Sequence, residues 1–226
     1  MNTTIESTNM TANGKTAKAQ VVREYGPFGE GGVHGVTFDG KLVWFARSNE
    51  LVAFDPDTGE VKRRLDVLAD AGTAFDGEFV YQIAGPDILV IRPSDGRVVR
   101  KIPAPDDGEG DCNSGMAYAD GYLWVGQWRE SKINKVDPKT GAVVKTLSSD
   151  RWVTGVSCVD GSLWHATHAT ETEPAELRRL SADGEVEERL ALPDGIFVSG
   201  VESDGKGGFF CGGGSSGKLR LVRKAS

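Results

Sequence analysis

An Asp-Gly phrase repeated five times about 40 residues apart, a Gly-x-Val phrase following it in four repeats, and thirty glycines in 226 residues predict an all-β chain. The predicted fold is a five-bladed β-propeller with four-stranded blades, the N-terminal strand closing the last blade. A period near 40 residues built of short strands is the sequence mark of radially repeated blades. So much glycine without low complexity means many tight turns.

Each phrase has a physical task. It opens on a glycine at 35, 72, 115, 155 or 200 and closes on Asp-Gly, as in Gly35-Val36-Thr37-Phe38-Asp39-Gly40. Asp-Gly between β-rich runs supplies the positive φ of a two-residue hairpin. The leading glycine lies on each first strand, where lack of a Cβ lets backbones converge on an axis. Second and third strands are runs such as Leu42-Val43-Trp44-Phe45 and Leu51-Val52-Ala53-Phe54. Asp55-Pro56-Asp57-Thr58-Gly59 and its counterparts read as a type I turn ending in a left-handed glycine, leading to the fourth strand. The fifth repeat stops after Lys218-Leu219-Arg220-Leu221-Val222-Arg223, one strand short. Ala19-Gln20-Val21-Val22-Arg23-Glu24-Tyr25 resembles the fourth strands of other repeats and would complete it. Closing the ring removes free sheet edges. Residues 1–17 then read as a flexible tail and 18–226 as one propeller domain.

Composition narrows the function classes. A formal charge of −7 argues against nucleic acid and against an anionic membrane surface. No apolar run approaches 18 residues, so no spanning helix is expected. The polar start does not read as a secretory signal, and a cytoplasmic location is the default. Three cysteines without C-x-x-C spacing exclude a disulfide framework and a zinc ribbon.

The two faces of the predicted propeller differ. Turns between first and second strands, and between third and fourth, are monotonous. The second-third loops and the inter-blade connections vary from repeat to repeat, and variable loops on a rigid scaffold are where function concentrates. All three histidines and the Trp128 and Trp152 aromatics fall on or beside that face. The candidate catalytic residues are His34, His168 and Asp111: an imidazole for proton transfer, a carboxylate to orient it. The candidate substrate-binding residues are Arg47, Asn113, Gln127, Trp128, Arg129, Trp152 and His165. Tryptophan beside arginine suits a flat ligand bearing a carboxylate. Metal ligands stay unassigned, with a divalent ion as the one cofactor to consider.

Gly-Met-Ala-Tyr-Ala-Asp-Gly-Tyr-Leu-Trp-Val-Gly at 115–126 and Ile133-Asn134-Lys135-Val136-Asp137-Pro138-Lys139-Thr140-Gly141 resemble blades of streptogramin B lyase and its relatives. The five repeats and His34-Gly35-Val36-Thr37-Phe38-Asp39-Gly40 resemble bacterial glutamine cyclotransferases more. That resemblance implies a propeller enzyme and spans most of 19–226. The cyclotransferase phrase Phe-Thr-Gln-Gly-Leu would fall at 33–36, where this chain lacks both the Thr and the Gln. The Tyr-Glu-Ser of that family would fall near 44–48, where no carboxylate matches. No catalytic residue is carried over from either family. The expected function is a small-molecule enzyme of lyase, hydrolase or cyclotransferase type acting on a polar or anionic substrate at the channel mouth. The alternative is a non-catalytic module that binds a protein or peptide. Oligomeric state is left open.

Overall fold

The structure, a computed structural model, describes residues 14–105, 112–170 and 173–225. It is an all-β propeller, with no helix among the described residues. Strand β1 spans Lys15–Tyr25. Blade 1 holds β2 (Val36–Phe38), β3 (Val43–Arg47), β4 (Glu50–Phe54) and β5 (Val61–Asp66). Blade 2 holds β6 (Thr73–Phe75), β7 (Val80–Ala84), β8 (Asp87–Ile91) and β9 (Val98–Pro103). Blade 3 holds β10 (Asn113–Ala119), β11 (Tyr122–Gln127), β12 (Lys132–Val136) and β13 (Val143–Ser148). Blade 4 holds β14 (Val153–Val159), β15 (Ser162–Thr167), β16 (Glu176–Leu180) and β17 (Val186–Ala191). Blade 5 joins β18 (Gly200–Ser203), β19 (Gly208–Gly212) and β20 (Leu219–Lys224) to β1.

β1 does more than complete blade 5. Its second half pairs antiparallel with β20, from Ala19↔Lys224 to Tyr25↔Leu219. Its first half pairs in parallel with β17, Lys15↔Glu188 through Lys18↔Ala191. Blades 4 and 5 thereby merge into one eight-stranded sheet. The strand starts inside the segment expected to be a tail, because β17 offers Lys15–Ala17 an unpaired edge. In blades 1 to 3 the outermost strands are edges with a single buried side chain each, Leu65, Ile102 and Leu147.

The Asp-Gly turns are of three kinds. Asp120 and Asp160 take positive φ with their glycines, and the ladder closes at Ala119↔Tyr122 and Val159↔Ser162. In blades 1 and 2 the aspartate instead caps the turn. Asp39 Oδ1 accepts the Lys41 and Leu42 amides and its Oδ2 the Trp44 indole at 2.7 Å. Asp76 does the same for Glu78, Phe79 and the Tyr81 hydroxyl. In blade 5, Asp204 reaches the Lys206 and Gly208 amides and Arg223 across a longer turn.

Five hydrophobic clusters fill the five gaps between adjacent blades. Trp44 and Leu51 meet Leu89 and Ile91 between blades 1 and 2, and Phe45 and Phe54 meet Phe210 and Leu219 between blades 5 and 1. Burial on both faces of every sheet explains why the second and third strands read as continuous apolar runs.

At the axis the leading glycines form a closed neck. A Cβ on Gly35 would lie 2.2 Å from the Ala71 carbonyl oxygen and 2.5 Å from the Thr73 nitrogen. Gly72 abuts Gly115, Gly115 abuts Gly155, Gly155 abuts Gly200, and Gly200 abuts Gly35. Each obstacle includes backbone, which cannot swing aside. Gly115→Ala, whose Cβ would lie 2.4 Å from the Gly155 Cα, is expected to cost about 3 kcal/mol, the upper end of ordinary overpacking. Chemical denaturation should report that loss. A variant as stable as the parent would show that the inner strands can part freely.

Candidate functional site

The glycine neck divides the axis into two levels. Above it, the residues just before the ring glycines contribute His34, Ala71, Ser114, Thr154 and Ser199 to a cavity of about 610 Å³. Below it, the residues two places on are Thr37, Ala74, Ala117, Ser157 and Glu202.

The upper cavity opens on the face with the variable loops. Blades 1 and 2 have minimal connections between second and third strands, Ser48-Asn49 and Gly85-Pro86. Blades 3 to 5 have longer ones, and these raise the wall. Trp128, from the third-blade loop, meets Trp152 edge-on at 5.2 Å and 78°. Trp152 meets His168 at 5.5 Å, and His168 meets Phe197 at 5.9 Å. These four rings form an arc from blade 3 to the connection entering blade 5. Trp152 is 43% exposed and Phe197 54% exposed, so the arc reaches the outer rim.

The His168 loop is held from beneath. Arg151 donates to the His168 and Pro174 carbonyls and lies 3.6 Å from both Glu173 and Glu176. Arg178, buried behind it, pairs with Asp150 and with Glu176 at 2.8 Å.

His34 occupies the cavity floor. Its backbone N–H donates to the Ala46 carbonyl at 3.0 Å. Gly32 packs so tightly on its ring that a Cβ there would lie 2.8 Å from Nε2. Burial pushes the imidazole below its usual pKa, and the nearby Asp70 carboxylate opposes that shift. Ser114 and Ser199 spend their hydroxyls on inter-blade bonds, to the Val153 and Val33 carbonyls respectively. Asn113 donates to the Pro105 carbonyl at 3.1 Å, which leaves its Oδ1 without a partner, and Thr154 Oγ1 has none either.

The sequence-predicted residues thus separate. His34, Asn113, Trp128 and His168 line one cavity, and Trp152 flanks it through its contacts with Trp128 and His168. Asp111 lies outside the described residues. Arg47 does not come to the cavity; its guanidinium turns to Glu50 at 2.9 Å and to the Glu30 carbonyl, in a separate charged hollow of about 440 Å³. Arg129 is exposed and lies over the Trp128 ring at 4.5 Å, outside the lining. Gln127 is buried structure, accepting from Asn134 at 2.9 Å and facing the Pro105 carbonyl at 3.4 Å. His165 is wholly buried within blade 4, and desolvation, with the Arg178 charge, pushes its pKa down to about 4. Strand alternation explains the last two: both point into the inter-blade packing. With Arg47 and Arg129 elsewhere, the cavity has no arginine or lysine among its described lining residues, and the expected carboxylate anchor is missing.

Sequence reading missed Asp70, Ser114, Thr154, Phe197, Ser199 and Ser215 from the lining. Three of them carry a usable signal, since they stand immediately before a ring glycine. Among the described residues no group of three or more His, Cys, Asp or Glu is arranged to hold a metal ion.

The lower level holds an isolated acid. Glu202 accepts from Ser157 at 2.7 Å, from Thr37 at 3.1 Å and from the Ser203 amide at 2.8 Å. Glu202 is half-buried, and desolvation pushes its pKa up to about 7 despite the three donors. The folded state therefore keeps a proton that the unfolded chain releases. Its stabilising contribution is complete below the ordinary glutamate range and is lost as pH rises through 7. His165 runs the other way, contributing above the ordinary histidine value and losing it as pH falls toward 4. Glu202→Gln should therefore melt near the parent temperature at pH 5 and several degrees higher at pH 8. Equal melting shifts at both pH values would mean that the carboxyl ionises normally.

No protein-family model matches this chain, and no curated protein matches it. Among solved structures it is similar to a glutaminyl cyclase from Myxococcus xanthus, 16% identical, with a TM-score of 0.71 over 93% of this chain and 97% of that one. It is also similar to the β-propeller domain of Cps50 (Swd1) from Myceliophteria thermophila, 9% identical, with a TM-score of 0.58 over 92% and 100%. The WD40 propeller domain of Doa1 follows at 16% identity and a TM-score of 0.53, over 84% and 63%. At these identities the likenesses establish the propeller fold, which hosts many unrelated functions.

Proposed function

We propose that this propeller is an enzyme acting on a small polar molecule in the cavity at its mouth, by lyase, hydrolase or cyclotransferase chemistry, with His34 as general base. The observation that carries the reading is the half-buried imidazole on the floor of a 610 Å³ cavity, held neutral at physiological pH by its burial. A cavity of that size accommodates a small organic molecule. A general base must be unprotonated to accept a proton. In each of the three reactions His34 removes a proton from the attacking group or from carbon. The protonated ring then returns it to the leaving group.

The fold likeness to a glutaminyl cyclase makes cyclising transfer the first reaction to assay. Incubating the purified chain with glutaminyl peptides and following ammonia release tests it directly, beside a panel of amides, esters and lactones. Turnover in any arm that His34→Asn removes supports the reading. Turnover that survives that change overturns the assignment of the base. Stoichiometric binding without turnover favours the second reading, a peptide-binding module, for which Trp152 and Phe197 exposed at the rim are the supporting observation.

A further inference from the structure

The cavity carries information about the charge and hydrogen-bonding character of what it holds. Thr154 is 9% exposed and its Oγ1 has no hydrogen-bond partner. Asn113 Oδ1, in the same lining, is buried and equally unpartnered. A buried polar atom left unpaired costs free energy that a ligand recovers by pairing it. Asn113 uses its amide N–H on Pro105, so what it offers the cavity is an acceptor. Asp70 adds a carboxylate to the same lining. Opposite charge is absent: no lysine or arginine belongs to the described lining. Trp128, His168 and Phe197 add aromatic walls, which suit the apolar part of an organic ligand.

We infer that the cavity takes a small organic cation that donates hydrogen bonds, a primary ammonium or guanidinium with an apolar tail, its head toward Asp70, Asn113 and Thr154 and its tail along the Trp128–Phe197 arc. The Asp70 carboxylate, the Asn113 amide oxygen and the lack of a described lysine or arginine are complementary to such a molecule and oppose an anion, while the Thr154 hydroxyl accepts from its head. This rests on the reading of the cavity as the ligand site and adds the class of ligand.

Isothermal titration of the full chain at pH 8 with four probes of one shape tests it. Phenethylamine carries the ammonium, its N,N,N-trimethyl form keeps the charge without donors, 2-phenylethanol is neutral and 3-phenylpropionate is anionic. Phenethylamine is expected to bind at least tenfold more tightly than each of the other three. Asp70→Asn should weaken it at least tenfold. Thr154→Val, isosteric and removing only an unpaired hydroxyl, should weaken it severalfold with an unchanged melting temperature. Preference for the anion, equal binding of the trimethyl form, or no binding of phenethylamine would each overturn the inference. Phenethylamine binding together with no turnover anywhere in the glutaminyl-peptide, amide, ester and lactone panel would count against the enzyme reading and leave this one standing. Turnover of a substrate with no cationic head would do the reverse.

Discussion

Removal of residues 1–25 is expected to leave a chain that no longer folds cooperatively. β1 binds three blades at once. It pairs with β17 of blade 4 and with β20 of blade 5. It reaches blade 1 as well, where Tyr25 packs on Phe54 at 4.8 Å and its hydroxyl donates to the Pro56 carbonyl at 3.0 Å. Arg23 donates to the Pro56 and Asp57 carbonyls at 2.9 Å, and Glu24 pairs with Arg220 at 3.0 Å. Without the strand, β20 and β17 become open edges, and Phe54 and Phe210 lose the ring that covers them. Open edges promote association between chains. The expected outcome is a broad or absent thermal transition and aggregation on gel filtration. Tyr25→Ala provides a graded version, at about 3 kcal/mol for a large aromatic removed from a core. A truncated chain that melts sharply within a few degrees of the parent would refute closure by β1.

Replacing His34 is expected to remove most turnover, roughly a hundredfold or more, the usual worth of a general base. Burial holds its imidazole below the ordinary histidine value. The rate should therefore be level through neutral pH and fall as acid protonates the ring below about pH 6.5. His34→Asn should lower kcat and abolish the acid limb together. The fold should tolerate the change, because the contacts that anchor this position are backbone ones, to Ala46. His168→Ala should act on KM more than on kcat, since that ring is packed between Trp152 and Phe197. A His34 variant that keeps both normal turnover and the acid limb would eliminate the proposed base. His165 serves as an internal control. Buried in blade 4 away from the cavity, it should affect melting and leave KM and the pH profile unmoved.

The sequence by itself determined the architecture, because repetition encodes it. Five glycine-led phrases, five Asp-Gly turns and a missing final strand each report a local backbone requirement, such as a positive φ at Gly121 or contact between backbones at Gly35. Such requirements act within a few residues, so they are legible in the chain. The face that carries the cavity was legible for the same reason: turns that never vary are structural. The tertiary structure alone decided which side chains on that face meet. Arg47, at the end of β3, finds Glu50 across a two-residue loop, whereas Asn113, at the start of β10, faces the cavity. His165 and His168 stand three residues apart, but His165 lies inside β15 and enters the blade packing, whereas His168 follows the strand's end and reaches the arc. The place of Thr154 before a ring glycine was legible, but its unpaired hydroxyl was not, and neither was the desolvation of the Glu202 carboxyl, since both depend on what surrounds them. Convergence on an axis is a property of all five blades together. Side-chain direction, loop height and local desolvation are therefore fixed only when the ring closes.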